Sequence, residues 1–230
     1  MWIVCVSRRK TSSDLKSFDP AQVGSIGKGA ATMEPLSAPN DPGVLVVLSG
    51  PSGVGKTAVS ECVIAKGNYV RAITATTRSP RDGERDGVDY HFLDREAFEK
   101  RIEEGGFLEY AEVHGNLYGS PRVDIAKQQQ HANAVLLLID VQGAQNLRQQ
   151  SVDALHIFLE PPGLEELQRR LKGRGDETKE EMEIRLANAR VELEQRDKYD
   201  HCVVNDDLEN AADQLIRIIE EDRQRRNGHQ

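Results

Sequence analysis

The stretch Gly50-Pro51-Ser52-Gly53-Val54-Gly55-Lys56-Thr57 has the residue types of a polyphosphate holder. Its glycines let successive backbone N–H groups curl around phosphate oxygens. Lys56 adds a point charge, and the Thr57 hydroxyl is a ligand for Mg²⁺. The spacing GxxxxGK[ST] gains force from its setting, because an all-apolar run precedes it and a helical pattern follows. Such a loop does not say where the phosphate goes next. The segment TATTRSPRDGERDGVDYHF (74–92) places Arg78 and Arg81 in a loop punctuated by Pro and Gly, a spacing suited to bidentate capture of a second phosphate, and Tyr90 adds a hydroxyl. The same arginines also read as solvated loop charges, since Asp82, Glu84, Arg85 and Asp86 surround them.

These residues need a scaffold, and the chain is long enough to supply one. It has 230 residues, 38% apolar and 30% charged, the balance of a soluble globular protein with one well-cored domain. The longest apolar runs, Val44 to Leu48 and Ala134 to Ile139, are far shorter than a bilayer span. Cys5, Cys62 and Cys202 are odd in number and lack CxxC spacing, which argues against a disulfide framework or a zinc site and for a reducing, cytoplasmic setting. The six histidines show no ligand-like spacing. A net charge of −8 disfavours nucleic acid as a partner, and the basic cluster QRRN at 224–227 reads as a solvated helix end.

Residues 1–42 combine Ser, Gly, Pro and scattered charge without apolar periodicity, and are expected to be a disordered extension before a domain at 43–230. Met33 offers an alternative start within that extension, and the opening MWIVCV followed by RRK reverses the order of a secretory signal. From Val44 onward short apolar runs alternate with amphipathic stretches, the pattern of an α/β domain with a mainly parallel sheet. Strands are expected at 44–49, 69–74, 134–140, 154–160 and 201–205. Helices are expected after the phosphate loop and near 95–104, 121–131, 142–150, 163–172, 178–198 and 207–226, with Asp94 capping one and Gly105 and Gly106 ending it.

Taken together, the phosphate loop, TTRSPRDGE, DYHF, GFLEYAEVHGNLYGS, IDVQG, FLEPP, RLKGRG and VVNDDL resemble guanylate kinase from about Val44 to the C-terminal helix. The resemblance implies phosphorylation of GMP at the expense of ATP with Mg²⁺, in purine nucleotide metabolism. It implies a P-loop NTPase core with a GMP-binding lobe at about 75–125 and a helical lid at about 170–186. In that likeness Gly50 through Thr57 hold ATP, with Thr57 on the metal and Asn205 near the adenine. Arg78, Arg81, Tyr90 and Tyr118 grip the GMP phosphate. Glu109 and Asp140 accept from the guanine N1–H and N2–H₂ edge, with Ser120 adding a hydroxyl and Thr74 standing where the family usually has serine. Arg170, Arg174 and Arg185 correspond to lid arginines that close over the transferring group. On its own neighbours Glu109 reads as a surface charge at a strand edge, and Arg185 as half of a surface pair with Glu181. Leu138 departs from the family, where the strand before QG usually reads DxD; a carboxylate there would organise Mg²⁺ and its waters. No general base is expected, because a nucleotide phosphate is already anionic and catalysis is mostly positioning and charge neutralisation.

Two other readings remain. A related kinase of another phosphorylated metabolite, such as a ribose bisphosphate, need not read guanine, which Glu109, Tyr118, Ser120 and Asp140 disfavour. A non-catalytic guanylate-kinase-like module holding a phosphopeptide needs no intact Gly55-Lys56-Thr57. The small-molecule partners expected are GMP and ATP, with neither nucleic acid nor membrane involved, and the oligomeric state is left open.

Overall fold

The apolar run VLVVLS forms strand β1 (Val44–Ser49), buried along its whole length. Continuous burial without alternation is what a strand covered on both faces requires. The computed structural model describes residues 42–113, 115–172 and 179–228, all within one compact unit spanning Ser37–Gln230. The expected extension falls, up to residue 41, outside the described residues.

After β1 come α1 (Lys56–Ala65), β2 (Tyr69–Arg71), β3 (Ala75–Thr76), β4 (His91–Phe92), α2 (Arg95–Glu103), β5 (Phe107–Val113) and β6 (Asn116–Pro121). The chain continues with α3 (Arg122–Gln129), β7 (Ala134–Leu138), α4 (Val141–Gln149), β8 (Leu155–Glu160), α5 (Leu164–Lys172), α6 (Lys179–Leu193), β9 (His201–Val204) and α7 (Leu208–Asn227). Strands β2-β7-β1-β8-β9 pair in that order, all parallel, into a five-stranded sheet. On one face Val44, Val46 and Leu48 meet Val59 and Val63 of α1 and Leu215 and Ile219 of α7. On the other, Leu45 and Val47 meet Ile125 of α3 and Ala144 and Leu147 of α4. The period-two alternation of β1 therefore divides between two cores.

The second sheet, β4-β3-β6-β5, is mixed, with β3 antiparallel to β6 and β6 antiparallel to β5. It is the main departure from the expected elements. Residues 69–74 do not form one strand: β2 stops at Arg71 and the chain crosses to β3 in the other sheet. The β5–β6 pair, not among the expected strands, carries a register shift between Phe107 and Tyr110. Its small core is Ala75, Phe98, Phe107 and Leu117, with the two phenylalanine rings stacked at 4.5 Å. The helix expected at 178–198 ends at Leu193, followed by a 3₁₀ turn at Arg196–Lys198.

The capping residues behave as their types dictate: Asp94 accepts from the Ala97 N–H, Asp140 from Gly143 and Asp207 from Asn210. The C-terminal cluster ends α7 with Gln224, Arg225 and Asn227 exposed, as expected, while its arginines also make ion pairs. Arg225 and Arg226 fold back onto Asp222, which is buried, and Arg226 also pairs with Asp153 at 2.6 Å. Among the described residues no helix is long and apolar enough to cross a membrane.

Candidate active site

The phosphate loop joins β1 to α1 and is shaped by its glycines. Gly55, the residue before α1, has φ 104°, a left-handed conformation that favours glycine, and a Cβ there would lie 2.5 Å from the Asn205 amide nitrogen. Asn205, buried just after β9, uses that nitrogen to donate to the Val54 carbonyl at 2.7 Å. The Lys56 ammonium donates to the carbonyls of Gly50 at 2.6 Å and Pro51 at 3.1 Å. Thr57 is exposed at the head of α1 and faces a cavity it shares with Lys56, Thr74, Tyr90 and Leu138.

The two described lid arginines have different settings. Arg170, on α5, donates to Glu166, to the Val54 carbonyl at 3.1 Å and to the Asn205 carbonyl at 2.9 Å, clasping α5 to the loop. Arg185, on α6, donates to the Ser52 hydroxyl at 3.1 Å and lines the cleft over the loop. Arg174 lies outside the described residues, as does the side chain of Glu181. Helices α5 and α6 pack through Leu167, Leu171, Met182 and Ala189.

On the smaller sheet Arg78 has left the solvated state its neighbours suggest. Its guanidinium donates to Glu84 at 2.9 Å and stands over the rings of Tyr90 and Phe92 at 5.5 and 5.9 Å. Glu84 takes the Arg81 N–H as well, at 2.7 Å, so one carboxylate organises both arginines of the loop. Tyr90 and Tyr118 meet edge to face at 6.4 Å. Arg81 is exposed and faces the cleft lined by Gly50, Ser52, Lys56 and Arg185.

Glu109 corrects its strand-edge reading outright. It is only 5% exposed, because its strand lies against the head of α4, and Gly143 leaves the room: a Cβ on that glycine would stand 2.9 Å from the Glu109 carboxylate. Ser120, directly across β6, donates its hydroxyl to Glu109. Burial, with the nearby charge of Asp140 adding to it and the Ser120 hydroxyl opposing, pushes the Glu109 carboxyl up to about 7. Glu109, Asp140, Thr74, Tyr90 and Tyr118 line a cavity of about 200 Å³, with Val113, Leu138 and Ile139 as its apolar wall. The cleft over the phosphate loop, about 680 Å³, shares Val113, Leu138, Ile139 and Asp140 with it. The two spaces therefore adjoin at those residues.

Sequence reasoning missed Glu84 and Glu192. Glu84 is signalled only by its place in PRDGE. Glu192, half-buried on α6 and facing the loop, carries no local signal. For a metal the donor set is sparse. Among the described residues no group of three or more His, Cys, Asp or Glu could hold one, and Leu138 closes the position where a carboxylate is expected. A hydroxyl beside a polyphosphate cradle still fits Mg²⁺, which keeps its waters and is held largely by substrate phosphates.

The sequence profile described as guanylate kinase matches residues 43–222. A guanylate kinase of Clostridium perfringens is 43% identical over 181 residues, covering 78% of this chain and 84% of that protein. One from Parasynechococcus marenigrum is 45% identical over 178 residues, covering 77% of this chain and 98% of that protein. The crystal structure of guanylate kinase from Anaplasma phagocytophilum superposes with a TM-score of 0.64 at 34% identity, over 79% of this chain and 87% of that one. With a profile match over most of its length and relatives well above 30% identity, the chain belongs to the guanylate kinase family.

Proposed function

We infer that the protein transfers the γ-phosphoryl group of ATP to GMP, giving ADP and GDP. The observation that supports this reading is the shared wall: a pocket holding the buried Glu109 carboxylate and the cleft over the phosphate loop adjoin at Val113, Leu138, Ile139 and Asp140, which line both. In this reading Glu109 and Asp140 accept from the guanine N1–H and N2–H₂, and Ser120 and Thr74 complete the base site. Arg78, Arg81, Tyr90 and Tyr118 take the GMP phosphate, which displaces Glu84 from Arg78. The amides of Gly50 to Thr57 and the Lys56 ammonium hold the donor phosphates, and Asn205, which also braces the Val54 carbonyl, lies near the adenine. A GMP phosphate oxygen bonds to the γ-phosphorus, the bond from that phosphorus to the bridging oxygen breaks, and ADP leaves with the electron pair. Arg185, with Arg170 and Arg174, offsets the charge spread over the equatorial oxygens. Mg²⁺, when bound, would neutralise phosphate charge, and Thr57 is the residue that would hold it. The lobe at about 75–125 and the lid at about 170–186 are the parts we propose to move. We place the enzyme in the cytoplasm, acting on free nucleotides.

A coupled assay of ADP formation with ATP and Mg²⁺, supplied in turn with GMP, AMP, CMP and UMP, tests the reading. GMP should support turnover far above the others. Equal turnover with AMP would sink the guanine assignment, and no turnover with any nucleotide would favour a binding module.

A further inference from the structure

Helix α6 carries Arg185 and Glu192 seven residues apart, about two turns, and so on one face. The neighbouring stripe of the helix, through Met182, Leu186 and Ala189, is committed to α5. Arg185 and Glu192 both converge on Ser52. Arg185 donates to the Ser52 hydroxyl at 3.1 Å, and the Ser52 backbone N–H and the Lys56 ammonium both act on the Glu192 carboxylate to favour its charge. Burial and Asp140 act the other way, and burial wins, so the Glu192 carboxyl is raised.

A carboxylate beside a polyphosphate cradle is electrostatically unfavourable unless it organises the cations there. Lys56 gives two of its three donors to the carbonyls of Gly50 and Pro51, and a nearby carboxylate adds to what holds its ammonium in place. Asp140 is engaged at the head of α4, and position 138 across the cleft is leucine. Among the described residues, Glu192 is a carboxylate on which the Lys56 ammonium acts, and both line the cleft over the loop.

We propose that Glu192 is a positioning residue of the donor site: it ties α6, and with it Arg185, to Ser52 and steadies Lys56, so that the transfer step depends on it. This rests on the phosphoryl-transfer reading above. Because Glu192 lines the loop cleft and stands outside the carboxylate pocket, acceptor affinity should be independent of it.

The test compares wild type, Glu192→Gln and Glu192→Ala for kcat, KM for GMP, ATP affinity by calorimetry without acceptor, and melting temperature. Glu192→Ala should lower kcat on the order of 10- to 100-fold, the penalty of a misplaced catalytic group, with KM for GMP within about twofold. Glu192→Gln keeps an oxygen for the Ser52 N–H but loses the charge, and should recover part of kcat. Both variants at wild-type kcat would overturn the inference. So would a fall in melting temperature of several degrees with kcat and KM for GMP both altered, which marks a packing residue. Wild-type protein that fails to phosphorylate GMP overturns the underlying reading, and the inference with it.

Discussion

The proposed donor and acceptor sites are built on different principles. The phosphate loop is a backbone site: the positive torsions of Gly50, Gly53 and Gly55 shape it, and the side chains around it, Asn205 and Arg170, brace the Val54 carbonyl. The acceptor pocket is a side-chain site. Glu109 from β5, Ser120 from β6, Asp140 from the head of α4 and Arg78 from a loop converge from distant segments, each oriented by a partner. A backbone site is written in consecutive residues. A side-chain site is written in contacts, and its chemistry depends on burial that no single segment carries.

The sharpest break between the two sites is expected at Lys56. Lys56→Ala should reduce kcat on the order of 10²–10³-fold or more with every acceptor, because it removes a charge aimed at the donor phosphates. Lys56 donates to the loop carbonyls of Gly50 and Pro51 and, among the described residues, belongs to no hydrophobic core, so the melting temperature should move little. Turnover near wild type in the folded variant would mean that the loop is not the donor site.

Glu109→Ala is the acceptor-side counterpart and should be selective. Removing the acceptor of the guanine donors should cost GMP about 2–4 kcal/mol in kcat/KM and leave AMP nearly unchanged. An equal loss for both nucleotides would make Glu109 structural. Arg78→Ala, by contrast, should weaken GMP and AMP alike, since both carry the same phosphate.

Protonation offers a gentler probe of the same pocket. With its carboxyl raised to about 7, Glu109 is substantially protonated at pH 6 and cannot accept from guanine N1–H. Asp140 is the charged group facing it, from the head of α4. Apparent affinity for GMP should therefore rise with pH through 7, by roughly tenfold between pH 6 and 8. For stability the sign is opposite. The folded-state value lies above the unfolded 4.5, so the contribution is full below pH 4.5 and is lost as pH rises through 7, about 1–3 kcal/mol in all. Glu109→Gln should flatten both profiles. Thermal melts and GMP titrations of the two proteins from pH 5 to 8 check this, and parallel curves would remove Glu109 from the account.

The smallest effect is expected at Leu138, on the wall common to both sites. Leu138→Asp should lower the Mg²⁺ concentration needed for half-maximal activity only modestly, through an added oxygen near the phosphates. Leu138 packs against the core through β7, so the new carboxylate should also destabilise the fold by about 1–3 kcal/mol. Unaltered Mg²⁺ titrations would take position 138 out of the metal's surroundings.

Wherever short-range physics decides, the sequence is readable. The apolar runs at 44–49 and 155–160 become buried parallel strands, and Asp94 and Asp207 cap the helices their positions announce. The five parallel strands follow from that alternation. The smaller sheet does not, because β3 and β4 are two residues each and exist only by pairing across the lobe. The likeness to a known family supplied Glu109 and Tyr118 as site residues, where their immediate neighbours gave no reason to single them out.

What the amino-acid order determined alone is the phosphate loop, the α/β class and the starts of the Asp-capped helices, because each depends on torsions and hydrophobic period within a few residues. The tertiary structure decided which charges are buried, shared or held. Glu109 changed from a surface charge to a buried acceptor when α4 closed over it. Arg78 found Glu84, Arg170 became a clasp on the loop, and Glu192 arrived beside Ser52 from 140 positions away in the sequence. The physical reason is that desolvation and Coulomb interaction depend on distance in space, and only the folded chain sets that distance.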